Sequence, residues 1–152
     1  MAINETEWTL LPFDQLPVTD LYDLMKLRSE VFVVEQNCVY LDPDDKDQLS
    51  YHLYKREQGI IAAYARLMPP GVSYKDPSIG RVVSNPRLRG SGEGRKLMEK
   101  AIISTYELFG GNSIHIGAQQ YLLKFYRSLG FREIGEVYLE DGIPHLEMIH
   151  TK

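Results

Sequence analysis

The segment from Ile79 to Phe109, IGRVVSNPRLRGSGEGRKLMEKAIISTYELF, carries the clearest structural signals of the sequence. Its β-branched beginning, Ile79–Ser84, predicts a buried strand, which Pro86 ends. From Arg95 onward, apolar residues recur at intervals of three and four, which predicts a long helix. Gly110 follows the last apolar residue and is expected to end that helix. A strand, a glycine-rich turn and a helix are therefore expected in this order.

The glycine-rich turn lies where the helix begins, and this position predicts an anion-binding site. The first N–H groups of a helix have no partner within it and lie at the positive end of its dipole. Glycines let a phosphate approach these donors closely. Gly94 is followed by Arg95-Lys96-Leu97, so the turn is not a Walker A loop, and it lacks the spacing and distal acid of a dinucleotide motif. The sequence favours a phosphate-bearing ligand, and a turn that binds no ligand is the alternative.

The composition indicates one soluble domain spanning residues 1–152. The chain is 43% hydrophobic and 25% charged, with a net charge of −4 and no basic block, which disfavours a nucleic-acid partner. It contains no run of about 18 apolar residues that would cross a membrane. The single cysteine, Cys38, has no second cysteine to pair with. Together with the absence of a signal peptide, this predicts a cytoplasmic location.

Further elements are expected on both sides of this stretch, and they are predicted in the order β-α-β-β-β-α-β-α-β-β. The predicted elements outside the central stretch are a strand at Trp8–Phe13, a helix from Leu21 to about Glu35, a hairpin of Leu49–Arg56 and Ile60–Met68, a strand at Ser113–Gln119, a helix at Tyr121–Leu129, and a hairpin of Phe131–Glu140 and Ile143–His150. A mixed sheet with helices on its faces would pack these elements economically. Pairing across the Asp141-Gly142 turn should set Tyr138 opposite His145 and Val137 opposite Leu146.

The segment from Asp42 to Asp47 is strongly acidic. It is interpreted as a solvated loop between the first helix and the first hairpin. A calcium loop needs a glycine and a distal glutamate at set positions, and the segment lacks both. No metal site is therefore predicted.

Two motifs resemble those of the GNAT N-acetyltransferases. Arg89-x-x-Gly92-x-Gly94 resembles that family's Q/R-x-x-G-x-G/A loop, and Phe125-Tyr126-x-x-x-Gly130-Phe131 resembles the end of its core. The resemblance implies an α/β fold whose central sheet is mixed, mostly antiparallel and twisted. That sheet would have six to seven strands, with a splayed parallel pair in the middle (Ile79–Ser84 and Ser113–Gln119), flanked by three to four helices. Longer stretches resemble the ElaA-type subgroup, among them Ala63-Tyr64-Ala65-Arg66, Ile79-Gly80-Arg81-Val82-Val83 and Gly117-Ala118-Gln119.

The resemblance also implies acetyl-coenzyme A as the co-substrate. The loop amides would hold its pyrophosphate, and the main chain of the first splayed strand would pair with its pantetheine arm. Gln119 stands where many family members carry an asparagine that contacts coenzyme A. The implied cofactor contacts are Val82, Val83, Ser84, Arg89, Gly90, Ser91, Gly92, Glu93, Gly94, Arg95, Gln119 and Tyr126.

The implied reaction is direct acetyl transfer to an amine. The Tyr126 hydroxyl would protonate the departing thiolate, and a backbone N–H would stabilise the oxyanion. Because amines are mostly protonated at neutral pH, a base is also needed. The candidate bases are Glu35, His115, Glu136 and His145, of which His145 lies on a hairpin that borders the acceptor side in this family. The candidate acceptor contacts are Arg28, Glu35, Tyr64, Arg66 and His145.

Other interpretations stay open at this point. The chain could bind acyl-coenzyme A without transferring anything, since a sensor needs only the loop. Cys38 as a nucleophile is disfavoured because no histidine partner is evident and direct transfer suffices. The sequence does not identify the acceptor, a small-molecule or peptide amine, or the oligomeric state, a homodimer included.

Overall fold

The computed structural model describes residues 7–90 and 92–152. Within these residues, strands and α-helices follow one another in the order that the sequence predicts. The strands are β1 (Trp8–Pro12), β2 (Tyr51–Glu57), β3 (Ile60–Met68), β4 (Ser78–Ser84), β5 (Ser113–Gln119), β6 (Phe131–Glu140) and β7 (Ile143–Thr151). The helices are α1 (Val18–Arg28), α2 (Glu93–Phe109) and α3 (Leu123–Ser128).

The strands form two antiparallel sheets that meet between β4 and β5. One sheet has the order β1-β2-β3-β4 and the other β5-β7-β6. The His115 N–H donates a hydrogen bond of 3.0 Å to the Pro77 carbonyl, which joins the beginnings of β4 and β5. Because both strands start at this bond, they run side by side in the same direction. No ladder continues the bond within residues 7–90 and 92–152, so the two strands are splayed, as the family resemblance implies.

The helices α1 and α2 cover opposite faces of the larger sheet. Side chains alternate between the two faces along a strand. Ala63 and Ala65 of β3 pack in the same cluster as Leu97 of α2, whereas Tyr64 packs with Leu24 of α1. Because α2 is buried on the sheet, the glycine-rich turn that precedes it is held beside the end of β4.

The first helix differs from the prediction of one α-helix from Leu21 to about Glu35. The α-helix ends at Arg28, and Ser29–Glu35 continues as a π-helix. The spacing of apolar side chains does not reveal which carbonyl each amide bonds, so the sequence did not indicate this change. Short π-helical segments are frequent at functional sites.

The last hairpin confirms one of two predicted pairs. Tyr138 lies opposite His145, but the register shifts between Ile134 and Tyr138, so the pairing of Val137 with Leu146 is not formed. Gly135, with φ of +75°, lies in this bulge. The bulge inserts extra residues on β6, which simple counting back from the turn cannot anticipate.

Candidate active site

A cleft of about 840 Å³ opens where β4 and β5 diverge. Its walls come from both sheets, the π-helical segment, the loop after it and α3. The predicted site residues that line it are Glu35, Arg66, Val82, Val83, Ser84, Arg89, Gly94, Gln119, Tyr126 and His145. Residues that are far apart in the sequence, and predicted on separate grounds, therefore meet at one place.

The strand β4 carries a β-bulge at the wall of this cleft. Tyr64 pairs with Val83 and Arg66 pairs with Gly80, so two residues of β4 lie opposite one residue of β3. One of the two, Arg81, has φ of +50°. A bulge bends a strand and redirects its peptide groups. The main chain that borders the cleft is therefore irregular where the sequence predicted a plain strand.

The glycine-rich turn has the backbone that its glycines predict. Gly90 and Gly92 have φ of +94° and +76°, values that disfavour side chains. Gly92 caps α2, whose first turn reaches the cleft at Gly94. Gly94 has an ordinary φ, and a Cβ added there meets no atom within 4 Å. Ser91, also predicted as a cofactor contact, lies outside the described residues.

The charged side chains of the turn are engaged with protein partners. Arg89 donates two hydrogen bonds to the Glu35 carboxylate, at 2.7 and 2.9 Å. Arg95 donates to the Ser128 hydroxyl at 2.9 Å. The Glu93 carboxylate is buried against Lys55 Nζ at 2.9 Å, so it faces β2 and not the cleft. Of these residues, Arg89 and Glu35 line the cleft, whereas Gly90, Gly92, Glu93 and Arg95 do not.

Tyr126 presents a buried phenol to the cleft. Its ring packs edge-on against Phe125 and Phe131, with centroid distances of 5.3 and 5.8 Å. Burial raises the pKa of Tyr126 to about 12. The hydroxyl therefore stays protonated at neutral pH, as a proton donor requires.

The imidazole of His145 is oriented by the main chain of its own hairpin. Its Nδ1 lies 2.7 Å from the Ile143 carbonyl oxygen. Because a carbonyl only accepts hydrogen bonds, Nδ1 carries the hydrogen and the Nε2 lone pair can accept a proton. The nearest carboxylate oxygen of Glu140 is 3.8 Å from Nε2, beyond hydrogen-bond distance. The ring also stacks on Tyr138 at 5.7 Å.

The other candidate bases are less suitable. Hydrogen bonds from Arg89 lower the pKa of the Glu35 carboxyl below its ordinary value, which makes the paired carboxylate a weak base. His115 does not line the cleft, because it stacks on Tyr74 and its Nε2 contacts Glu147 at 2.7 Å. Glu136 is exposed in the bulge of β6, away from the cleft lining.

Two predicted acceptor contacts are part of the protein interior. Arg28 and Tyr64 are both 0% exposed, and neither lines the cleft. Arg28 donates to Asp42 and Asp47, each at 2.8 Å, and the Tyr64 hydroxyl lies 2.7 Å from His52 Nδ1. These buried partners correct the prediction that Arg28 and Tyr64 touch the acceptor.

The acidic segment is not the solvated loop that the sequence suggested. Asp42 and Asp47 are only 3% and 5% exposed. Three arginines from three different elements converge on this segment, and together they form what we call the arginine–aspartate network: Arg28, Arg66 and Arg81 with Asp42, Asp44 and Asp47. The network fixes one wall of the cleft. The arginines are distant in the sequence, so the acidic run alone gave no sign of them.

We expect the free energy of unfolding to fall by about 1–2 kcal/mol between pH 7 and pH 3, because groups in this buried wall bind protons differently in the folded and unfolded chain. Burial alone would raise the pKa of Asp47, but Arg28 and then Arg66 outweigh it and lower that pKa. Ionised Asp47 therefore stabilises the folded protein above about pH 3.9, the ordinary aspartate pKa. This stabilisation is lost as the pH falls below that pKa. Burial lowers the pKa of His52 in the folded protein. Below about pH 6.5 the unfolded chain therefore binds a proton before the folded protein does, which lowers the free energy of unfolding.

Urea unfolding across this pH range measures the effect. In His52→Gln, the decline between pH 7 and pH 5 should become shallower because the titrating group is gone. The decline near pH 4 should persist, since Asp47 is unchanged. A wild-type stability that stays flat from pH 7 to pH 3 would contradict the expected role of both residues.

Comparison with known proteins identifies the family. Residues 30–152 match the family model described as acetyltransferase (GNAT) domain. The chain is 40% identical over 144 residues to protein ElaA of Escherichia coli, covering 93% of this chain and 94% of ElaA. A UPF0039 protein of Synechocystis is 39% identical over 147 residues, 95% of each chain.

Solved structures agree with the sequence comparison. The crystal structure of an acyl-CoA N-acyltransferase from Pseudomonas aeruginosa has a TM-score of 0.90 and 40% identity, covering 95% of this chain and 98% of that chain. The crystal structure of Escherichia coli ElaA has a TM-score of 0.88 and 38% identity, with the same coverage of 95% and 98%. The chain belongs to the GNAT acetyltransferase family. The fold class and the ElaA-type resemblance derived from the motifs are confirmed.

The described residues lack two features. They contain no group of three or more His, Cys, Asp or Glu side chains that could hold a metal ion. Across 7–90 and 92–152, none of the helices combines the length and apolar character needed to cross a membrane.

Proposed function

We propose that this protein is an N-acetyltransferase that moves the acetyl group of acetyl-coenzyme A directly to an amine, within a ternary complex in a single domain. The observation that carries the proposal is the cleft at the divergence of β4 and β5. It is lined by the start of α2 at Gly94, by the bulged strand, by Tyr126 and by His145. Membership of the GNAT family supports an acyl-coenzyme A donor.

The coenzyme would bind mainly through the backbone. The amides at the start of α2 would face the diphosphate, where the helix dipole favours negative charge. Arg89 would exchange the Glu35 carboxylate for a phosphate oxygen. The main chain of Val82, Val83 and Ser84 would align the pantetheine arm. Gln119, whose side chain donates to Gln36 at 3.3 Å, would contact the arm from the other side.

The transfer itself needs two proton movements. The amine nitrogen attacks the thioester carbonyl carbon and forms the new C–N bond, while the C–S bond breaks. His145 Nε2 accepts the proton that leaves the amine. The Tyr126 hydroxyl gives its proton to the departing thiolate sulfur, and a main-chain N–H of β4 stabilises the oxyanion between these steps.

An acceptor screen tests the proposal. The protein is incubated with acetyl-coenzyme A and, separately, small primary amines, polyamines, amino acids, aminoglycosides and lysine peptides. Release of the free thiol that depends on the amine, with the acetylated amine detected by mass spectrometry, is the expected result. Calorimetric binding of acetyl-coenzyme A without amine-dependent release would instead favour a module that binds the coenzyme and transfers nothing.

We expect His145→Gln to lower kcat/KM by about 100-fold, the lower range for losing a general base. Glutamine can still donate a hydrogen bond to the Ile143 carbonyl but is not basic. The affinity for acetyl-coenzyme A, measured by calorimetry, should change by less than about 3-fold. His150→Gln is the matched control, because His150 contacts Tyr106 and does not line the cleft. Full turnover in His145→Gln would exclude His145 as the base.

A further inference from the structure

The backbone of Arg81 is unusual for its position. Its φ of +50° places it in the left-handed region, although it lies inside strand β4. The other non-glycine residues with positive φ in the described parts of the chain lie in loops and turns: Asn37, Asp45, Gln58 and Asp141. For a residue with a Cβ, this conformation is disfavoured about 5- to 30-fold. Strain of this kind persists only where surrounding contacts impose it.

The guanidinium of Arg81 makes several contacts with the acidic segment. Its Nε lies 2.8 Å from Asp42 Oδ1, and its Nη2 donates to the Asp42 carbonyl at 2.8 Å. Nη2 also reaches Asp44 Oδ2 at 3.3 Å. The guanidinium lies over the Tyr40 ring, 5.8 Å from its centroid. One side chain therefore ties the bulge to a main-chain oxygen and two carboxylates of the segment opposite.

The partners of Arg81 are themselves fixed. Asp42 accepts hydrogen bonds from Arg28 at 2.8 Å and from the Tyr40 hydroxyl at 2.8 Å. Asp44 accepts two hydrogen bonds from Arg66, at 2.7 and 2.9 Å. Arg28 is fully buried and Arg66 is 2% exposed. The bulge is thus anchored to a segment that buried arginines hold in place.

We propose that Arg81 is a positioning residue for acyl transfer. Its guanidinium holds the bulge of β4 in the left-handed conformation, and the bulge sets the main chain of Val82–Ser84 along the cleft. Arg81 acts through its own backbone and not by touching the reacting atoms. This inference rests on the proposed function, because the strand it shapes is the one that would align the thioester.

A pair of substitutions separates the effect of the backbone conformation at Arg81 from the effect of its side-chain contacts. Arg81→Ala and Arg81→Gly lose the same guanidinium contacts, but glycine adopts positive φ without a Cβ penalty. We expect kcat to fall about 5- to 30-fold in Arg81→Ala and to stay within about 3-fold of wild type in Arg81→Gly. Coenzyme A affinity should change by less than about 3-fold in both, because the diphosphate would bind at the start of α2.

Three results would overturn the proposal: equal losses of kcat in both variants, no loss in Arg81→Ala, or a loss confined to coenzyme A affinity. Melting temperatures control for stability, since both variants lose the same ion pairs and should unfold at similar temperatures. Hydrogen exchange at the amides of Val82–Ser84 gives a readout without turnover. Protection should fall in Arg81→Ala and be largely retained in Arg81→Gly. If wild type transfers no acetyl group, the proposed function fails, whereas this exchange contrast still tests the role of Arg81 in holding the bulge.

Discussion

Replacing Gly94 with glutamate should weaken coenzyme A binding by about 100-fold while leaving the fold intact. Gly94 has an ordinary φ and open space around it, so a side chain fits without strain. It lines the cleft at the first turn of α2, where the diphosphate would bind. A carboxylate a few ångströms from a phosphate costs between about 1 and 4 kcal/mol, depending on the local dielectric. A loss of about 2.7 kcal/mol corresponds to 100-fold in affinity.

The matched variant is Gly94→Gln, which has nearly the same shape but no charge. Calorimetry with coenzyme A should show a much smaller loss for glutamine than for glutamate, and both variants should melt close to wild type. Gly92 is a poorer site for this test, because its φ of +76° would strain any side chain and confuse binding with folding. Unchanged affinity in Gly94→Glu would remove the diphosphate from this turn.

Replacing Tyr126 with phenylalanine should lower kcat by about 1,000-fold and leave coenzyme A affinity within about 3-fold of wild type. Phenylalanine keeps the edge-on packing against Phe125 and Phe131, so the loss of the hydroxyl is the main change. Because burial raises the pKa of Tyr126 to about 12, the phenol still carries its proton at neutral pH when the thiolate departs beside it.

Steady-state kinetics with the amine found by the acceptor screen measure this effect. Tyr22→Phe serves as the control, since Tyr22 is 70% exposed on α1 and does not line the cleft. If Tyr126→Phe turns over at the wild-type rate, thiolate protonation must come from water or another group. A loss of binding together with turnover would instead assign Tyr126 to holding the coenzyme.

Local sequence signals predicted most of the secondary structure. The long helix, its end at Gly110 and the hairpin at Asp141-Gly142 depend on residues that are close neighbours in the chain. The sequence did not predict the π-helical Ser29–Glu35, because apolar spacing does not reveal which carbonyl each amide bonds. It did not predict the bulge at Arg81, because a bulge depends on the register with a neighbouring strand. The gap between β4 and β5 was expected only through the family resemblance.

The same distinction applies to the site. Gly94, Tyr126 and His145 line the cleft, and each was chosen from a motif or from its place on a hairpin. Arg28 was named as a candidate acceptor contact, yet its aspartate partners hold it in the interior. Sequence spacing can indicate which elements meet, but it cannot say whether a charged side chain faces the cleft or a buried counter-charge.

The Glu35 carboxylate makes a bidentate ion pair with Arg89 at the lining of the cleft, so the protein itself supplies the counterion of this arginine. Any anion that binds Arg89 has to displace the Glu35 carboxylate, which already accepts two hydrogen bonds from it. A lone phosphate ion therefore gains little from the exchange, since it gives up one ion pair for another. A molecule that also lays a long arm along β4 adds further contacts to the same binding event. If the protein binds coenzyme A as proposed, we expect this pair to favour extended phosphate-bearing ligands over solitary anions.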